Sequence, residues 1–402
     1  MEEGQKMRIC KWKNNADSPV MFMIDDFCNS WVDSNRNGEM DLGEDFGAGM
    51  YNENSSIKYL ENKILKNYPK VKVNFYVPVG KRIGMLLNSK IKMYSAPINE
   101  TREIKEFFKS IHNNPKYELS FHGVTHGQVF EDPKDQKQEW ECYNSLEEAL
   151  EIIESGKEIY KDVTGEYPKG GKYCGYIGST FGDESIDKSK FLWWHRFWNK
   201  GIEEGYAEDF CGKEKNPLKA YDITEFGENN VIDIPSTVNG GLFNIKSNFI
   251  VKKIIKLILK PYLEYKAKSK LEFLLKNKLI ISIQEHICPA RDDGKRQLPN
   301  IFDDKKSLLK IFKYLKTKNV WYCTGTELAE YYYLRKNIKI IENGDEFYFN
   351  LKNINKKIKN KEITLYFDKK YKKVILPNNL EVKIENYIGT LNIMEGIYRC
   401  IL

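Results

Sequence analysis

Two of the five histidines in this 402-residue chain lie four positions apart, at His122 and His126. They follow an apolar run that ends at Phe121, and a glycine comes directly after each of them, at positions 123 and 127. A neutral imidazole is a common ligand of zinc-like metals, and such sites usually take a third ligand, often a carboxylate, and keep a position open for water. The pair therefore predicts either a metal site or two polar histidines at the edge of a loop.

Two adjacent carboxylates, Asp25 and Asp26, end an unbroken apolar run that begins at Pro19. Such a run is typical of a buried parallel strand. Neighbouring side chains of a strand point to opposite faces, so the two carboxylates are expected to have different roles. We interpret one as the missing metal ligand and the other as a general base. The alternative is a solvated turn at the end of a strand.

Two further apolar runs end in residues that can do chemistry. Residues 279–285 precede His286, and Val231 and Ile232 precede Asp233. A structural histidine would more naturally lie inside the run than at its end, so we predict a catalytic role for His286. Asp233 is predicted to orient a histidine through a hydrogen bond.

Residues 33–44 match the calcium-loop pattern D-x-[DN]-x-[DN]-G-x5-E at every specified position. The flanking segments are short or glycine-rich instead of helical, so a polar, turn-rich loop is the alternative. The predicted Ca²⁺ ligands are Asp33, Asn35, Asn37, Glu39, Asp41 and Glu44.

Aromatic side chains concentrate in residues 191–198, which hold three tryptophans, one histidine and one arginine. Aromatic faces suit sugar rings, so Trp193 and Trp194 are candidate substrate contacts, although tryptophan is also common in cores and interfaces. His195 is interpreted as a structural histidine. The glycine-dense segment at 164–176 would let backbone approach a ligand closely.

Apolar runs that predict strands alternate with segments of helical periodicity from residue 18 to about residue 333. This alternation predicts an α/β fold with parallel strands, in which chemistry gathers at the C-terminal ends of the strands. From about residue 336, short alternating segments predict a small all-β module. We therefore expect one domain at 1–334, with an inserted loop at 27–55, and a β-sandwich-like accessory domain at 335–402.

The chain carries 64 Lys and Arg against 57 Asp and Glu, a net charge of +7 with both signs interspersed, and no nucleic-acid motif indicates a nucleic-acid partner. Eight cysteines without a C-x-x-C pair favour reduced thiols. No run approaches the length of a membrane span and the N-terminus lacks a signal pattern, so we expect a cytoplasmic protein. Residues 249–275 predict a basic amphipathic helix pair broken at Pro261, which could contact a membrane surface peripherally or pack on the core.

Four features follow one another along the chain: Asp25-Asp26, His122-x-x-x-His126, the glycine-rich segment and the strand-end His286. In this order of motifs the chain resembles the polysaccharide deacetylases (NodB homology, carbohydrate esterase family 4). The resemblance covers roughly residues 20–333. It implies a distorted, incomplete (β/α) barrel and a metal-dependent removal of acetyl groups from glycans. By the same resemblance, Asp25 is the general base and His286 the general acid. Asp26, His122 and His126 are the ligands of one divalent metal, most commonly Zn²⁺.

Two departures from the family pattern stand out. The family's histidine motif usually has Ser or Thr directly after the first histidine, where this chain has Gly123. The family's Arg-x-Pro segment is matched by Lys172, Tyr173 and Cys174, which keep a positive charge but lose the guanidinium fork and the proline. Lys172 is assigned to the catalytic group, where it would keep Asp25 ionised, and Tyr173 to substrate binding.

These residues predict a metal-dependent amide hydrolase that removes an N-acetyl or related acyl group from a sugar of a glycan or glycan precursor. One alternative is a deformylase of a lipid-linked amino sugar. Another is a non-catalytic carbohydrate-binding protein built on a deacetylase scaffold.

Overall fold

The computed structural model describes residues 7–47, 52–89, 91–198, 218–244, 250–352, 354–355 and 358–402, with the backbone alone at 133, 219 and 250–259. Its strands up to residue 322 are β1 (Met7–Ile9), β2 (Ser18–Asp25), β3 (Ser30–Asp33), β4 (Val73–Val77), β5 (Lys92–Ser95), β6 (Tyr117–Phe121), β7 (Gly170–Lys172), β8 (Trp193–His195), β9 (Thr224–Phe226), β10 (Val231–Asp233), β11 (Val238–Asn239), β12 (Ile281–His286) and β13 (Val320–Tyr322). The later strands are β14 (Lys339–Asn343), β15 (Glu346–Asn350), β16 (Glu362–Phe367), β17 (Lys373–Ile375), β18 (Glu381–Lys383), β19 (Ile388–Asn392) and β20 (Tyr398–Ile401).

Helices alternate with the strands of the first part of the chain. They are α1 (Ser56–Tyr59, continued by a π-turn at Leu60–Ile64), α2 (Arg102–His112), α3 (Leu146–Thr164), α4 (Gly182–Lys188), α5 (Ile250–Lys276), α6 (Lys305–Leu315) and α7 (Gly325–Asn337). Side-chain caps begin several of them: Thr101 accepts from the Ile104 amide, and Ser145 from the Glu148 amide.

The central sheet has the strand order β11-β12-β2-β4-β6-β7-β8-β10-β9, with β13 also paired to β2. Every pair in it is parallel except β9 with β10. The sheet curls into a half-barrel, and in the described part of the chain its edge strands β11 and β9 do not pair with each other. The predicted α/β class, a distorted and incomplete (β/α) barrel, is confirmed.

The strands beside the barrel's apolar core are buried on both faces, as parallel strands covered by helices must be. All eight residues of β2 and all five of β4 are buried. Phe22, Phe75 and Phe121 lie in one continuous core with the apolar sides of α2, α3 and α6. This packing fixes the ends of the strands relative to one another.

Residues 339–401 form the predicted all-β module. It has a five-stranded sheet in the order β14-β15-β20-β17-β18 and a three-stranded sheet in the order β1-β16-β19. The strand β1 pairs with β16 and places Met7 in the core of this module, so the N-terminal strand packs with the C-terminal module and not with the barrel core. The accessory module is therefore built from both ends of the chain.

Residues 250–275 of the basic segment lie in one helix, α5, with Pro261 inside it, where the sequence predicted two helices. Its C-terminal half packs Ala267, Leu271 and Leu274 into buried positions. Residue 249 and the side chains of 250–259 lie outside the described residues, so the predicted membrane contact stays a prediction. None of the helices in the described part of the chain is both long and apolar enough to cross a membrane.

Candidate active site

The C-terminal ends of adjacent parallel strands bring the predicted residues to one edge of the sheet. Asp25 ends β2, Lys172 ends β7, His286 ends β12, and His122 directly follows β6. Asp25 and His286 are direct partners in the register of β2 and β12. Residues that are up to 261 positions apart in sequence therefore meet, because parallel neighbours present the same end of each strand.

Asp26 faces the two histidines of the His motif. Its Oδ1 lies 3.1 Å from His126 Nε2 and 4.0 Å from His122 Nε2. Asp26 and His126 both adopt the left-handed backbone region, with φ of 64° and 69°, which is uncommon for residues with a Cβ. Such conformations persist where surrounding packing imposes them, and here they turn the side chains of both residues toward each other.

His122 has one ring nitrogen committed and one free. Its Nδ1 lies 2.9 Å from the backbone oxygen of Lys172. A carbonyl oxygen can only accept a hydrogen bond, so Nδ1 carries the proton and Nε2 carries the lone pair. Nε2 is buried and has no hydrogen-bond partner among the described residues. Burial lowers the pKa of His122 to about 4, although the negative charge of Asp25 opposes this shift. The lowered pKa keeps the ring neutral. A neutral imidazole with its other nitrogen fixed by a carbonyl is a typical metal ligand.

The donors Asp26, His122 and His126 therefore fit a divalent metal. Burial would raise the pKa of Asp26, but His126 and Arg82 outweigh it and hold the pKa well below the usual range, so the carboxylate is ionised. A sulfur atom is also nearby: the ligand atoms of His122, His126 and Cys174 lie within 4.8 Å of one another. The Cys174 thiol donates to the backbone oxygen of His122 at 3.3 Å, and burial raises its pKa well above the usual value.

Asp25 lies in a different environment from its neighbour. Its Oδ2 accepts from Lys172 Nζ at 2.5 Å, while its Oδ1 is buried without a hydrogen-bond partner in the described part of the chain. Burial would raise the pKa of Asp25, but Lys172, His122 and His286 outweigh it and lower the pKa. The result is an ionised carboxylate with one oxygen free to accept a proton.

The Lys172 ammonium is fully buried and held by polar and aromatic neighbours. Its Nζ donates to Gln284 Oε1 at 2.6 Å and lies 4.0 Å from the centre of the Tyr176 ring. The Tyr176 hydroxyl donates to the same Gln284 oxygen at 2.8 Å. Gln284 thus fixes the ammonium against Asp25, which compensates part of the cost of burying the ion pair.

His286 lies on the far side of Asp25 from the His motif. Its Nδ1 is 2.7 Å from the backbone oxygen of Pro299, and its Nε2 is 3.9 Å from Asp25 Oδ2. The Pro299 carbonyl requires a proton on Nδ1, so the exchangeable second proton is carried by Nε2, the atom that faces the site. Burial lowers the pKa of His286, and Asp25 opposes this.

Gly123, which replaces the family's usual Ser or Thr, makes room for a buried carboxylate. Gly123 has φ of 79°, and a Cβ at this position would lie 2.2 Å from Glu139 Oε2. Glu139 accepts hydrogen bonds from three consecutive backbone amides, those of Val124, Thr125 and His126 at 2.8, 2.9 and 2.6 Å. Glu139 therefore holds the loop that carries His126 in place.

Several site residues were not found by the sequence reasoning. Glu139, Gln284 and Tyr176 act on the site by positioning other groups, and Arg82 Nη2 lies 3.4 Å from Asp26 Oδ2. Gln284 lies two residues before His286 in the same strand, on the same face, which period-two alternation could have indicated. Glu139 begins a short 3-10 helix and Arg82 lies in a loop, and neither has a periodic pattern, so the sequence offered no comparable signal.

The predicted substrate contacts Tyr173, Trp193 and Trp194 belong to the core, and this corrects the sequence interpretation. Both tryptophans are 0% exposed and Tyr173 is 1% exposed, so none of the three presents a face to a sugar. Trp193 donates to Thr326 Oγ1 at 3.0 Å, and Tyr173 donates to Asp183 Oδ1 at 2.9 Å. Alternation in the short strand β8 sends Trp193 and Trp194 to opposite faces of the sheet, where each packs into a different part of the core.

Asp233 does not orient a histidine, contrary to the sequence prediction. Its carboxylate instead contacts Arg196 Nη1 at 3.5 Å and accepts from Thr224 Oγ1 at 3.4 Å. Burial raises the pKa of Asp233 to about 6 in spite of Arg196. His195 is fully buried, and its Nδ1 contacts the backbone oxygen of Ile234 at 2.5 Å, while its Nε2 has no hydrogen-bond partner among the described residues. Its structural role stays a prediction.

The calcium-loop pattern forms a closed loop stabilised by its own side chains. Asp33 accepts from the amides of Asn37 and Gly38 at 3.2 and 3.1 Å, and Glu44 accepts from the amide of Asp41 at 3.0 Å. The positive φ of 79° at Gly38 supplies the sharp turn that the pattern requires. Binding of Ca²⁺ stays a prediction for these residues and for Asn35 and Glu39, whose side chains are exposed.

No protein-family model and no curated protein matches the sequence. Among solved structures, the chain is similar to a protein from Mycobacterium smegmatis assigned as a polysaccharide deacetylase, with 13% identity, a TM-score of 0.45, and coverage of 82% of this chain and 94% of the other. A second protein with this assignment, from Pseudomonas aeruginosa PAO1, has 13% identity, a TM-score of 0.44, and coverage of 81% and 94%.

An allantoinase has 13% identity to this chain, a TM-score of 0.43, and coverage of 81% of this chain and 93% of its own. At 13% identity and TM-scores of 0.43 to 0.45, these likenesses carry no argument about function.

Proposed function

We propose that this protein is a metal-dependent deacetylase that removes an N-acetyl or related acyl group from a sugar of a glycan or glycan precursor. The observation that carries the proposal is the position of Asp25 between two groups with different chemistry. On one side lies the Asp26, His122 and His126 donor set, and on the other side lies His286, 3.9 Å from Asp25 Oδ2. A base between a metal-binding donor set and a proton donor is what amide hydrolysis requires.

A divalent metal held by Asp26, His122 and His126 would polarise the acyl carbonyl and lower the pKa of a water molecule. Asp25 accepts the proton of the attacking water at Oδ1, the oxygen that has no other partner. Lys172 keeps Asp25 ionised and holds its other oxygen, so the carboxylate does not rotate. Zn²⁺ is the metal we propose, because two imidazoles and one carboxylate are a common zinc donor set.

The leaving amine must be protonated before it departs, since an amide anion is a poor leaving group. His286 can donate this proton from Nε2, because the Pro299 carbonyl holds the proton of Nδ1. His286 must be protonated to act as an acid, and its pKa is lowered. The rate is therefore expected to fall as pH rises through the pKa of His286 and, at the acid end, as Asp25 becomes protonated.

Replacing His122 or His126 with Ala tests the proposal. Both variants are expected to lose bound metal and to lower acetate or formate release from N-acyl sugars by at least about 10³-fold, since a catalytic metal supplies several kcal/mol. Metal content is measured by mass spectrometry of the purified proteins. His112→Ala is the matched control, because His112 lies outside the site and contacts Glu166 at 3.3 Å.

Two results would contradict the proposal. Acyl release by metal-free protein would show that catalysis does not need a metal bound by Asp26, His122 and His126. Sugar binding without turnover in the metal-loaded wild type and in Asp25→Asn alike would favour the non-catalytic carbohydrate-binding protein instead.

A further inference from the structure

A cleft of about 980 Å³ lies beside the candidate site and shares one residue with it, Arg82. One wall is the loop at 33–38, and the other is formed by residues from 81–89 and 91–95, with Val129 and Asp292 completing it. The volume is that of a site for a small ligand or for part of a larger one. The candidate catalytic residues lie outside the cleft lining, at its Arg82 end.

The charge of this cleft is predominantly positive. Arg36, Lys81, Arg82 and Lys92 line it, against the carboxylates of Asp33 and Asp292. The side chains of Arg36, Lys81 and Lys92 are exposed, and no carboxylate of the described residues forms an ion pair with them. An excess of cations in a concave surface concentrates anionic ligands from solution.

Both carboxylates of the cleft accept hydrogen bonds from backbone amides. Asp292 Oδ2 accepts from the amides of Met85 and Leu86 at 2.6 and 3.3 Å. Asp33 accepts from two amides of its own loop, as described above. These bonds stabilise the walls of the cleft, and its four cations still outnumber its two carboxylates.

Arg82 is the innermost of the cations and has unused donor capacity. It is 8% exposed, its guanidinium lies 4.2 Å from the centre of the Phe46 ring, and its Nε is buried without a hydrogen-bond partner among the described residues. A buried guanidinium N–H without a partner costs free energy unless a ligand satisfies it. Its one ion-pair partner in the described part of the chain is Asp26, at 3.4 Å.

The Arg82–Asp26 contact would be weaker with a metal bound. A divalent cation held by Asp26 would neutralise the charge that faces Arg82 and would repel the guanidinium. Arg82 would then need a second anion, and the cleft is the open space that it lines.

We propose that this cleft binds an anionic group of the substrate, a phosphate or a carboxylate, so that the proposed deacetylase acts on an acidic glycan. The inference rests on the proposed function. Arg82 binds the anion at the inner end of the cleft, and Lys81, Lys92 and Arg36 attract and hold it from the rim. The remaining lining, which includes Leu86, Leu87 and Val129, offers apolar contact to the rest of the ligand.

Calorimetry of the metal-loaded, full-length chain tests this inference. N-acetylglucosamine 1-phosphate and N-acetylmuramic acid supply the phosphate and the carboxylate, and N-acetylglucosamine is the neutral reference. We expect at least one acidic sugar to bind about tenfold or more tightly than the neutral one, because a charge-assisted bond to buried Arg82 is strong. This advantage should shrink as salt is raised, since the rim cations are exposed.

The double variant Lys81→Gln, Lys92→Gln locates the anion without touching the proposed catalytic or metal-binding residues. It should weaken binding of the acidic sugar by about two- to fivefold for each lysine and leave the neutral sugar unaffected. The double variant Lys109→Gln, Lys116→Gln removes the same charge from exposed positions outside the cleft and is expected to bind like the wild type.

The outcomes separate this inference from the proposed function. If the three sugars bind equally, or none binds, the inference is wrong even where N-acyl sugars are hydrolysed. If the acidic advantage survives in the Lys81 and Lys92 variant, or is lost to the same extent in the distant one, the cleft is not the site. An acidic sugar that binds in the cleft but is never hydrolysed supports the anion site and overturns the deacetylase.

Discussion

Asp25 and Asp26 are adjacent in sequence and similarly buried, yet the two sides of the site that they face are built differently. On the Asp26 side, two imidazole rings face the carboxylate, and His126 Nε2 is 3.1 Å away. On the Asp25 side, a buried ammonium donates to the carboxylate at 2.5 Å. The left-handed backbone at Asp26 produces this difference, because it turns the second side chain away from the direction that strand geometry would give.

The comparison teaches that burial alone does not decide what a carboxylate does. Burial would raise the pKa of both residues, and nearby positive charge lowers both. What differs is the kind of neighbour. Imidazole rings, which can ligate a metal, face Asp26, whereas the buried Lys172 ammonium faces Asp25 and excludes a cation there.

The largest expected effect comes from exchanging each carboxylate for an amide. Asp26→Asn should lose the metal and, with it, at least about 10³-fold in acyl release. Asp25→Asn should retain the metal and still lose about 10²- to 10⁴-fold, because only proton transfer is removed. Metal content and turnover, measured on the same preparations, provide the two readouts. Equal metal content in the two variants would show that the two sides do not have separate roles.

Lys172→Met tests what the ammonium does for Asp25. Burial raises the pKa of Asp25, and without the ammonium only His122 and His286 would oppose this effect. The pKa of Asp25 should therefore rise, and the acid limb of the pH–rate profile should move to higher pH. The ionised Asp25 of the wild type contributes stability above its unfolded pKa, near 3.8, which is lost as pH falls through its lowered folded pKa. The variant should therefore be destabilised most at neutral pH, by roughly 3–5 kcal/mol.

Two measurements check this prediction. Denaturant unfolding from pH 4 to pH 8 should show a deficit of the variant that grows as pH rises, and pH–rate profiles should show the displaced acid limb. Lys172→Arg, which keeps the charge, is the matched control and should retain the wild-type pH dependence. A deficit that is independent of pH would mean that Lys172 only fills space.

The long strands and their reactive ends could be predicted from the sequence, because they depend on local pattern. β2, β6 and β12 span five to eight residues and have apolar side chains at most or alternate positions, as buried parallel strands commonly do. Their ends meet wherever the strands are neighbours, so Asp25, His122 and His286 were identified without a structure.

The strands β7 and β8 could not be predicted, and the misassigned tryptophans follow from that. Each has three residues, too few for a periodic signal. A Cβ on Gly170 would lie 2.2 Å from the Trp193 ring, so the glycines of β7 make space for the tryptophans of β8. This complementarity joins residues more than 20 positions apart, and a single sequence does not reveal such a pair.

A smaller effect is expected from Glu139, which supports the Asp26 side alone. In Glu139→Gln, an amide NH₂ group would face backbone N–H donors, so one or more of the three loop bonds is lost at about 1–3 kcal/mol. Metal affinity should fall about 10- to 100-fold, as for other groups that orient a ligand. Competition with a chromophoric chelator measures it. Glu141→Gln is the neighbouring control, since Glu141 accepts from the Gln138 amide instead; equal loss in both variants would contradict a specific role for Glu139.

The smallest effect is expected from Cys174, the sulfur closest to the donor set. Its thiol donates to the His122 backbone oxygen and has a raised pKa, so we expect Asp26 and not Cys174 to complete the metal site. Cys174→Ser keeps a donor at this position and should leave metal content and turnover within about twofold of the wild type. A metal deprotonates any thiol that it binds, so the spectrum of the Co²⁺-substituted protein decides the matter. A sulfur-to-cobalt charge-transfer band in the wild type that disappears in Cys174→Ser would place the sulfur on the metal and free Asp26 to pair with Arg82.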